Sequence, residues 1–261
     1  MGRLKLGIDI GGTFTDFVLL DEESEGMEVG KCLTTGDDPA RAIREGCLAI
    51  LGKTGKKADE VFMTIHGTTL VTNTLIERKG AKTGLITTQG FRDVLETGNE
   101  VRYELYDLGM DRPDPLVPRH LRCGVRQRMN ARGEVLLDLD LEEVRRIARY
   151  FRQEGVEAVA ICLIHSYLSP AHENRIQETL GEEFPEFHIS LSSRVNPEIR
   201  EYERTSTTVA NAYVQPLMKR YLRQIEGELK AMGCRGSLSV MLSSGGITHV
   251  PMAEEFPVRL C

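Results

Sequence analysis

The chain has 261 residues, of which 41% are hydrophobic and 28% charged, and its formal net charge is −6. This length supports one large or two modest domains. The acidic balance argues against a nucleic-acid-binding protein, which usually carries a basic patch. No run of about 18 apolar residues occurs, and no signal peptide is recognised, so we expect no membrane span. Six cysteines without a C-x-x-C pair indicate free thiols in a reducing, cytoplasmic protein.

The first predicted element is a β-strand over residues 4–10, followed by a glycine turn and a second strand over residues 15–21. The turn lies in the segment DIGGTFTD, residues 9–16. Glycines admit positive φ and the close approach of a ligand, and successive N–H groups in such a turn form an anion-binding nest. The same pattern is also typical of a plain tight hairpin.

If the turn binds phosphate, its candidate contacts are the glycines, hydroxyls and carboxylate that surround it. Carboxylates should not face phosphate directly, so Mg²⁺, usually hydrated, is expected between them. We assign Asp9 as the candidate metal ligand. The candidate nucleotide contacts are Gly11, Gly12, Thr13, Thr15 and Asp16.

Alternating strands and helices follow. A third strand is predicted over residues 27–35, and a helix from Pro39 to about Lys53, with Asp38 as N-cap and Pro39 at the first helical position. Its inner face has a helical period and comprises Ile43, Cys47, Ile50 and Leu51. Further predictions are a strand over 61–65, a helix over 69–79 that ends at Gly80, and a strand over 83–87.

The segment HGTTLVTNTLIERKG, residues 66–80, has the form of a strand end, a turn and a helix start. A helix N-terminus presents unpaired N–H groups that suit an anion or a developing oxyanion. His66 is a candidate general acid/base or hydrogen-bond donor. Thr68 and Thr69 are candidate substrate contacts or ordinary helix caps, and Asn73 lies one helical turn further on the same face.

The second half of the chain continues the alternation. Residues 99–122 read as a long loop in which Arg102, Tyr103 and Asp107 are candidates to line a substrate site. Later segments predict a hairpin around residues 130–133, and a helix from Asp140 with Glu143 completing a capping box. Then come a doubly covered strand over 156–164, a helix from residue 169, and a strand over 188–195. The last predictions are a helix over 203–232 broken or kinked at Pro216, and a strand over 238–242 that leads into Gly245 and Gly246.

The segment DIGGTFTD resembles the first phosphate motif of the actin, sugar-kinase and Hsp70 ATPase superfamily. Residues 66–80, GFRDVLETG at 90–98, YDL at 106–108, PEIREYERTSTT at 197–208 and SSGGI at 243–247 resemble the hydantoinase A/5-oxoprolinase family in the same order. The resemblance implies an α/β fold. It comprises a ribonuclease-H-like (actin-like ATPase) half with a mixed sheet, an α/β insertion, and the start of a second region.

The resemblance also implies a function and a set of partners. It implies ATP-dependent hydrolysis of a small cyclic amide such as 5-oxoproline or hydantoin, with ATP and Mg²⁺ as cofactors. It further implies catalytic roles for His66, Thr68, Thr69 and Asn73, and nucleotide contacts at Gly245 and Gly246. A B-type subunit or domain and a homo-oligomer are the expected partners. A ketone carboxylase of the acetone or acetophenone type, and a non-catalytic nucleotide-binding or assembly fragment, are the alternatives.

Two regions are predicted, an N-terminal domain over residues 1–185 and the beginning of the hydantoinase A domain over residues 186–261. Family members are longer, and their second phosphate loop follows a sequence like residues 256–260. The chain is therefore expected to be an N-terminal part that precedes that loop, and by itself it is expected not to catalyse ring opening.

Overall fold

The structure is a computed structural model that describes residues 4–35, 39–99, 104, 106, 107, 109 and 113–261. The predicted N-cap Asp38 and the predicted loop residues Arg102, Tyr103 and Leu108 lie outside the described residues. The chain divides into two compact units. Unit 1 comprises Met1–Glu77 with Leu217–Cys261, and unit 2 comprises Arg78–Pro216.

Unit 1 is built on a six-stranded mixed sheet with the order β12-β11-β4-β1-β2-β3. The three N-terminal strands pair antiparallel, whereas β1 pairs parallel with β4, and β4 pairs parallel with β11. This is the strand order of a ribonuclease-H-like half, as predicted. Its strands are β1 (Leu4–Ile10), β2 (Phe14–Asp21), β3 (Gly26–Leu33), β4 (Val61–Thr68), β11 (Ser237–Met241) and β12 (Ile247–His249).

Helices cover one face of this sheet. Helix α1 (Pro39–Thr54) presents the four residues predicted for its inner face, and all of them are buried. The long helix α7 (Glu201–Ala231) runs through both units, and α2 (Leu70–Ile76) and α8 (Val250–Glu255) complete the α-helices described in unit 1. Short 3-10 helices occupy Ala58–Glu60 and Pro257–Leu260. Within the described residues, no helix has the length and apolar character needed to cross a bilayer.

Unit 2 is the predicted α/β insertion. Its four-stranded parallel sheet has the order β10-β9-β5-β6 and comprises β5 (Thr83–Thr88), β6 (Arg122–Val125), β9 (Ala158–Cys162) and β10 (His188–Leu191). A small hairpin pairs β7 (Arg128–Met129) with β8 (Val135–Leu137). The helices are α3 (Val94–Thr97), α4 (Leu141–Gln153), α5 (Ala171–Glu183) and α6 (Ser192–Val195), with a 3-10 turn at Arg119–Leu121.

Local sequence signals explain several of these elements. Asp140 caps α4, since its carboxylate accepts a hydrogen bond from the Glu143 N–H at 3.1 Å. The predicted capping box is only half formed, because the Glu143 carboxylate accepts from the Arg126 N–H instead. Strand β9 is buried at all five positions, as expected of a continuous apolar run in a doubly covered strand.

Three predicted elements differ from the structure. The strand predicted over residues 188–195 ends at Leu191, and the chain turns directly into α6. Helix α2 stops at Ile76 rather than Lys79, because Arg78 adopts a left-handed φ of 57°. Of the break or kink predicted at Pro216, the break is absent, since helix α7 continues through this residue. The buried side chains on both sides of this proline offset the cost of about 3 kcal/mol that an interior proline carries.

Candidate functional site

Three of the sequence motifs meet at one edge of the unit 1 sheet. Strands β1, β4 and β11 are parallel neighbours, so their carboxyl ends lie side by side. The glycine turn follows β1, Thr69 follows β4, and the turn from Ser243 to Gly246 follows β11. In open α/β sheets, ligands bind in the crevice beyond the carboxyl ends of such strands.

The glycine turn is tight and braced. The Gly11 N–H donates to the Phe14 carbonyl at 3.0 Å. The Thr34 hydroxyl donates to the Gly11 carbonyl at 2.9 Å, and the Thr34 N–H donates to the Thr13 carbonyl at 2.9 Å. Gly12 is exposed, and a Cβ placed there would meet nothing within 4 Å. The turn therefore offers an open backbone surface to a ligand.

The reason for glycine at this turn differs from the expected one. Neither Gly11 nor Gly12 has a positive φ. A Cβ on Gly11 would lie 3.2 Å from the Phe14 carbonyl, so close packing favours glycine there. Thr15 is fully buried, and its hydroxyl hydrogen-bonds to that of Thr34 at 3.0 Å. Its part in the turn is to hold Thr34, which sequence reasoning missed.

Asp9 lies at the exposed end of β1, in register with Gly67 on β4 and Asp16 on β2. A Cβ on Gly67 would stand 3.0 Å from Asp9 Oδ1, so the absent side chain leaves room for this carboxylate. Asp16 is exposed on the same face and pairs with Lys31 at 3.0 Å. Two carboxylates thus stand on adjacent strands beside the glycine turn, and Lys31 offsets the charge of one.

His66 points to the opposite, covered face of the sheet and is completely buried. Its Nδ1 lies 3.2 Å from the Ile8 carbonyl and its Nε2 lies 2.7 Å from the Tyr221 hydroxyl. A carbonyl only accepts, so Nδ1 carries the proton and the Tyr221 hydroxyl donates to Nε2. Burial lowers the pKa of His66 to about 4, which keeps the ring neutral near pH 7.

Thr68, Thr69 and Asn73 form the start of α2. The Leu70 N–H donates to the Thr68 hydroxyl at 3.1 Å, so Thr68 satisfies one unpaired N–H of the first turn. Thr69 and Asn73 are exposed, and the Asn73 side-chain amide donates to the Thr69 hydroxyl at 3.2 Å. Thr68 therefore caps the helix, whereas the Thr69 side chain makes no capping hydrogen bond, and the exposed Thr69 and Asn73 remain accessible to a ligand.

Gly245 and Gly246 belong to the tight hairpin that joins β11 to β12. Gly245 has a φ of 87°, its N–H donates to the Leu242 carbonyl at 2.9 Å, and the Leu242 N–H donates to the Gly246 carbonyl at 2.8 Å. The Ser243 hydroxyl donates to the Arg259 carbonyl at 3.2 Å. Both glycines are exposed at the same sheet edge as the glycine turn.

The structure thus brings the predicted residues to one edge, except that His66 and Thr15 face the interior. Their individual roles stay predictions. Tyr221 and Lys31 are additional members that sequence reasoning missed. Tyr221 lies 155 positions from His66, so no local pattern connects them. Lys31 lies directly opposite Asp16 on the neighbouring strand. Pairing β2 with β3 in the correct register would have revealed these opposite charges from the sequence.

Comparison with known families assigns the chain. The model described as the hydantoinase/oxoprolinase N-terminal region matches residues 5–184, and the model described as hydantoinase/oxoprolinase matches residues 204–261. The chain belongs to the hydantoinase/oxoprolinase family. The fold is that of an actin-like ATPase half, as the sequence motifs implied.

Named relatives include enzymes with different substrates. The chain is 37% identical to the caprolactamase subunit alpha of Pseudomonas jessenii, covering 98% of this chain and 38% of the relative. It is 35% identical to the acetophenone carboxylase gamma subunit of Aromatoleum aromaticum, covering 94% of this chain and 36% of the relative. The chain therefore spans well under half the length of these relatives.

A solved structure shares the fold over the entire chain. The nucleotide-free structure of acetone carboxylase, an enzyme of ATP-dependent acetone carboxylation, superposes with a TM-score of 0.87 at 28% identity. The match covers 100% of this chain and 39% of the acetone carboxylase chain. The crystal structure of ATP-dependent caprolactamase from Pseudomonas jessenii also matches, with a TM-score of 0.88 at 34% identity over 98% of this chain and 38% of that chain.

Proposed function

We propose that this chain supplies the first phosphate-binding region of an ATP-dependent amidohydrolase that opens small cyclic amides. The observation that carries the proposal is the convergence of the three motif turns at the carboxyl ends of β1, β4 and β11. ATP-dependent relatives with the same fold support the use of ATP. Caprolactamase and 5-oxoprolinase among the relatives support a cyclic amide substrate.

The residues at the edge divide the work by position. The exposed backbone of Gly12, with Thr13, provides N–H and hydroxyl donors for phosphate oxygens, and Gly11 shapes the turn through its own hydrogen bonds. Gly245 and Gly246 provide a second backbone surface at the same edge. Positioning and electrostatic stabilisation supply most of the catalysis in phosphoryl transfer, so a braced turn suits this task. Thr34 and Thr15 hold that turn in place.

The donor set at the turn fits Mg²⁺. This ion commonly binds through one or two carboxylates together with substrate phosphates and water. Asp9 and Asp16 are exposed carboxylates on adjacent strands beside the turn, and Asp9 has room because Gly67 carries no side chain. Within the described residues, no group of three or more His, Cys, Asp or Glu side chains could hold a metal ion, so phosphate and water would supply most of the ligands of Mg²⁺ here. Bound Mg²⁺ would neutralise phosphate charge next to these two residues.

His66 acts in this proposal as a positioning residue. Its two hydrogen bonds join β1, β4 and α7 within unit 1, and its ring lies on the face of the sheet opposite Asp9. The exposed Thr69 and Asn73 are better placed than His66 to contact a ligand directly. His66→Gln should therefore weaken substrate-stimulated turnover by loosening the β4 end, with less effect on ATP affinity.

The decisive experiment uses the longest reading frame that encodes this chain, co-expressed with an adjacent B-type gene. ATP hydrolysis is measured with 5-oxoproline, hydantoin and caprolactam, and separately with acetone or acetophenone plus bicarbonate. Stimulation by a cyclic amide with release of the ring-opened amino acid supports the proposal. Stimulation only by a ketone with bicarbonate favours the second candidate, a ketone carboxylase, which the acetone and acetophenone carboxylase relatives support.

A matched pair of variants tests the metal role. Asp9→Asn removes the charge beside the glycine turn, whereas Asp59→Asn removes the charge of an exposed carboxylate before β4, paired loosely with Arg235 at 3.7 Å. We expect Asp9→Asn to reduce Mg²⁺-dependent ATP hydrolysis at least about a hundredfold, the scale of losing one transition-state contact, and Asp59→Asn to have no effect. Full turnover by folded Asp9→Asn would remove Asp9 from the site.

A third candidate is a non-catalytic nucleotide-binding fragment. Calorimetric titration of the 261-residue chain with ATP and Mg²⁺, followed by an ATPase assay, separates it from the main proposal. The ATPase assay is then repeated with the longer polypeptide and the B-type partner. ATP binding by the 261-residue chain, with no substrate-stimulated turnover in that second assay, would favour a binding role.

A further inference from the structure

A second cleft, with a volume of about 680 Å³, lies in unit 2. None of its lining residues belongs to the proposed phosphate site. The cleft is formed by the turn before α3, the 3-10 turn at Arg119–Leu121, the edge strand β6 and the first half of α4. Its size is within the range of small-molecule sites, which is about 300–1,000 Å³.

The side chains that line this cleft are strongly basic. Four arginines and one histidine line it, together with one carboxylate, that of Glu143. Both Glu143 oxygens are engaged, because Oε2 accepts from the Arg126 N–H at 2.7 Å and Oε1 lies 3.2 Å from Arg146. The basic lining residues are Arg92, Arg119, His120, Arg122 and Arg146.

Arg122 is the central feature, because its side chain is only 1% exposed. Its Nε donates to the Val117 carbonyl at 2.8 Å, and its Nη2 lies 3.1 Å from Glu96. Among the described residues, nothing accepts a hydrogen bond from its buried Nη1. A buried guanidinium stays charged, and a buried donor without a partner destabilises the fold. A buried arginine at the wall of a cleft, with one N–H donor unpartnered, indicates that a hydrogen-bond acceptor binds in that cleft.

The other arginines leave charge available at the rim. Arg119 is held by Asp93 through two hydrogen bonds of 2.9 and 3.0 Å. Arg92 is 3.9 Å from the same carboxylate, which is already shared. Arg92 is 49% and Arg146 is 70% exposed, so both reach the cleft from solvent. The planar guanidinium fork matches the oxygen spacing of carboxylate and phosphate groups.

We propose that this cleft binds a small organic anion through a terminal phosphate or carboxylate group, with Arg122 at its base and Arg92 and Arg146 at its rim. The acceptor oxygen satisfies the unpartnered Nη1 of Arg122, and the rim arginines neutralise the remaining charge. This site is independent of the proposed ATPase function, because it uses other residues on another sheet.

The first test is calorimetric titration of the full chain with inorganic phosphate and, separately, with glutarate, at constant ionic strength. Preference for either probe identifies the group that the site accepts. The variant Arg92→Gln/Arg146→Gln removes the rim charges at exposed positions, and Arg132→Gln removes an exposed charge from the hairpin turn as the matched control. We expect the double variant to lose affinity at least about tenfold, or 1.4 kcal/mol, and the control to keep it.

Arg122→Lys tests the base of the cleft, since it keeps the charge but removes the guanidinium fork. We expect this variant to show a cooperative thermal unfolding transition, which indicates that it folds, and to bind the same probe more weakly than the parent chain. Should this buried substitution prevent folding, the exposed rim variant still decides the matter. Affinity that is unchanged in the double variant, or no saturable binding of either probe, would overturn the proposal.

A second readout locates the bound anion, because phosphate also binds a glycine turn. Phenylglyoxal modifies accessible arginines, and peptide mass spectrometry measures the extent at each. The saturating probe should slow the modification of Arg92 and Arg146 and leave that of Arg132 unchanged. Equal rates with and without the probe at all three positions would contradict binding in this cleft.

Discussion

The two sheets of this chain differ in how their faces are covered. In unit 2, β5 and β9 are buried at every position. In unit 1, β2 alternates between buried and exposed residues, and the outward faces of β2 and β3 are apolar apart from the Asp16–Lys31 pair. Val18 pairs with Val29, and Leu20 pairs with Met27 across these strands, with exposures of 37, 60, 37 and 69% respectively.

This difference shows that an apolar strand is not by itself evidence of burial on both faces. Strand β9 is a continuous apolar run with helices of its own unit around it, and its residues form one core cluster. Strand β2 has five apolar residues among its eight, yet only Thr15, Phe17 and Leu19 are buried on the covered side. Burial therefore depends on where the crossover helices pack, and this is a property of the topology.

The sharpest test of this comparison truncates one strand residue in each sheet. Ile161→Ala removes a fully buried side chain from β9, and we expect the free energy of unfolding to fall by about 2–5 kcal/mol. Val29→Ala removes an exposed side chain from β3, and the change should stay within about 0.5 kcal/mol. Urea unfolding followed by circular dichroism measures both. A loss at Val29 as large as that at Ile161 would show that the outer face of unit 1 is covered in solution.

Much of this architecture was predictable from local signals. The alternation of strands and helices, the inner face of α1 and the Asp140 cap each follow from a few neighbouring residues. The end of α2 was not predictable, because nothing in the residue type of Arg78 indicates that it adopts a left-handed φ. Strand β10 also ended early, since Ser192 and the residues after it turn into a helix whose position depends on buried contacts to Glu173.

The candidate site was predictable as a list of motifs but not as a geometry. The glycine turn, residues 66–69 and residues 243–246 were each found from sequence, and the strand order places them at one edge. His66 points inward because of the pleat of β4. Its partner Tyr221 lies 155 positions later in the sequence, so no local pattern connects the two. The buried Arg122 belongs to no recognisable motif, so its role could not be predicted from the sequence.

Each unit contains a buried histidine whose ordinary pKa is lowered by burial. His66 in unit 1 has a pKa of about 4 because burial disfavours its charged form, and burial also lowers the pKa of His172 in unit 2. The unfolded chain has a histidine pKa of about 6.5. The unfolded chain therefore takes up protons more readily than the folded one. The stabilisation by each neutral histidine is fully present above pH 6.5 and is lost as the pH falls towards 4. For His66 the loss in the free energy of unfolding is on the order of 3 kcal/mol.

Urea unfolding at a series of pH values measures this slope in the parent chain and in His66→Gln, His172→Gln and the double variant. His66→Gln should remove the larger share of the slope between pH 6.5 and 4, because His66 is fully buried, whereas the charge of Asp138 beside His172 counteracts the lowering of its pKa by burial. A parent slope that survives intact in His66→Gln would mean that the ring is solvated in solution.

A smaller effect is expected at the glycine turn. Thr34→Val keeps the shape of the side chain but removes the hydroxyl that donates to the Gly11 carbonyl and bonds to Thr15. Losing these bonds should cost about 1–2 kcal/mol of unfolding free energy and weaken ATP binding by loosening the turn. Thr54→Val is the matched control, since its hydroxyl bonds only within α1, to Ile50 and Leu51. Equal ATP affinity in both variants would argue against a bracing role for Thr34.

The smallest expected effect concerns the helix that covers the unit 2 sheet. Asp140→Ala removes the side-chain acceptor for the Glu143 N–H at the start of α4 and should cost about 1 kcal/mol. The cost should appear in unit 2, because α4 packs there through Val144 and Phe151. Amide hydrogen exchange should accelerate along α4 about fivefold, the equivalent of 1 kcal/mol, with no change in β1–β3. Uniform acceleration in both units would show that they unfold together. The two sheets would then differ in how deeply their residues are buried but not in stability.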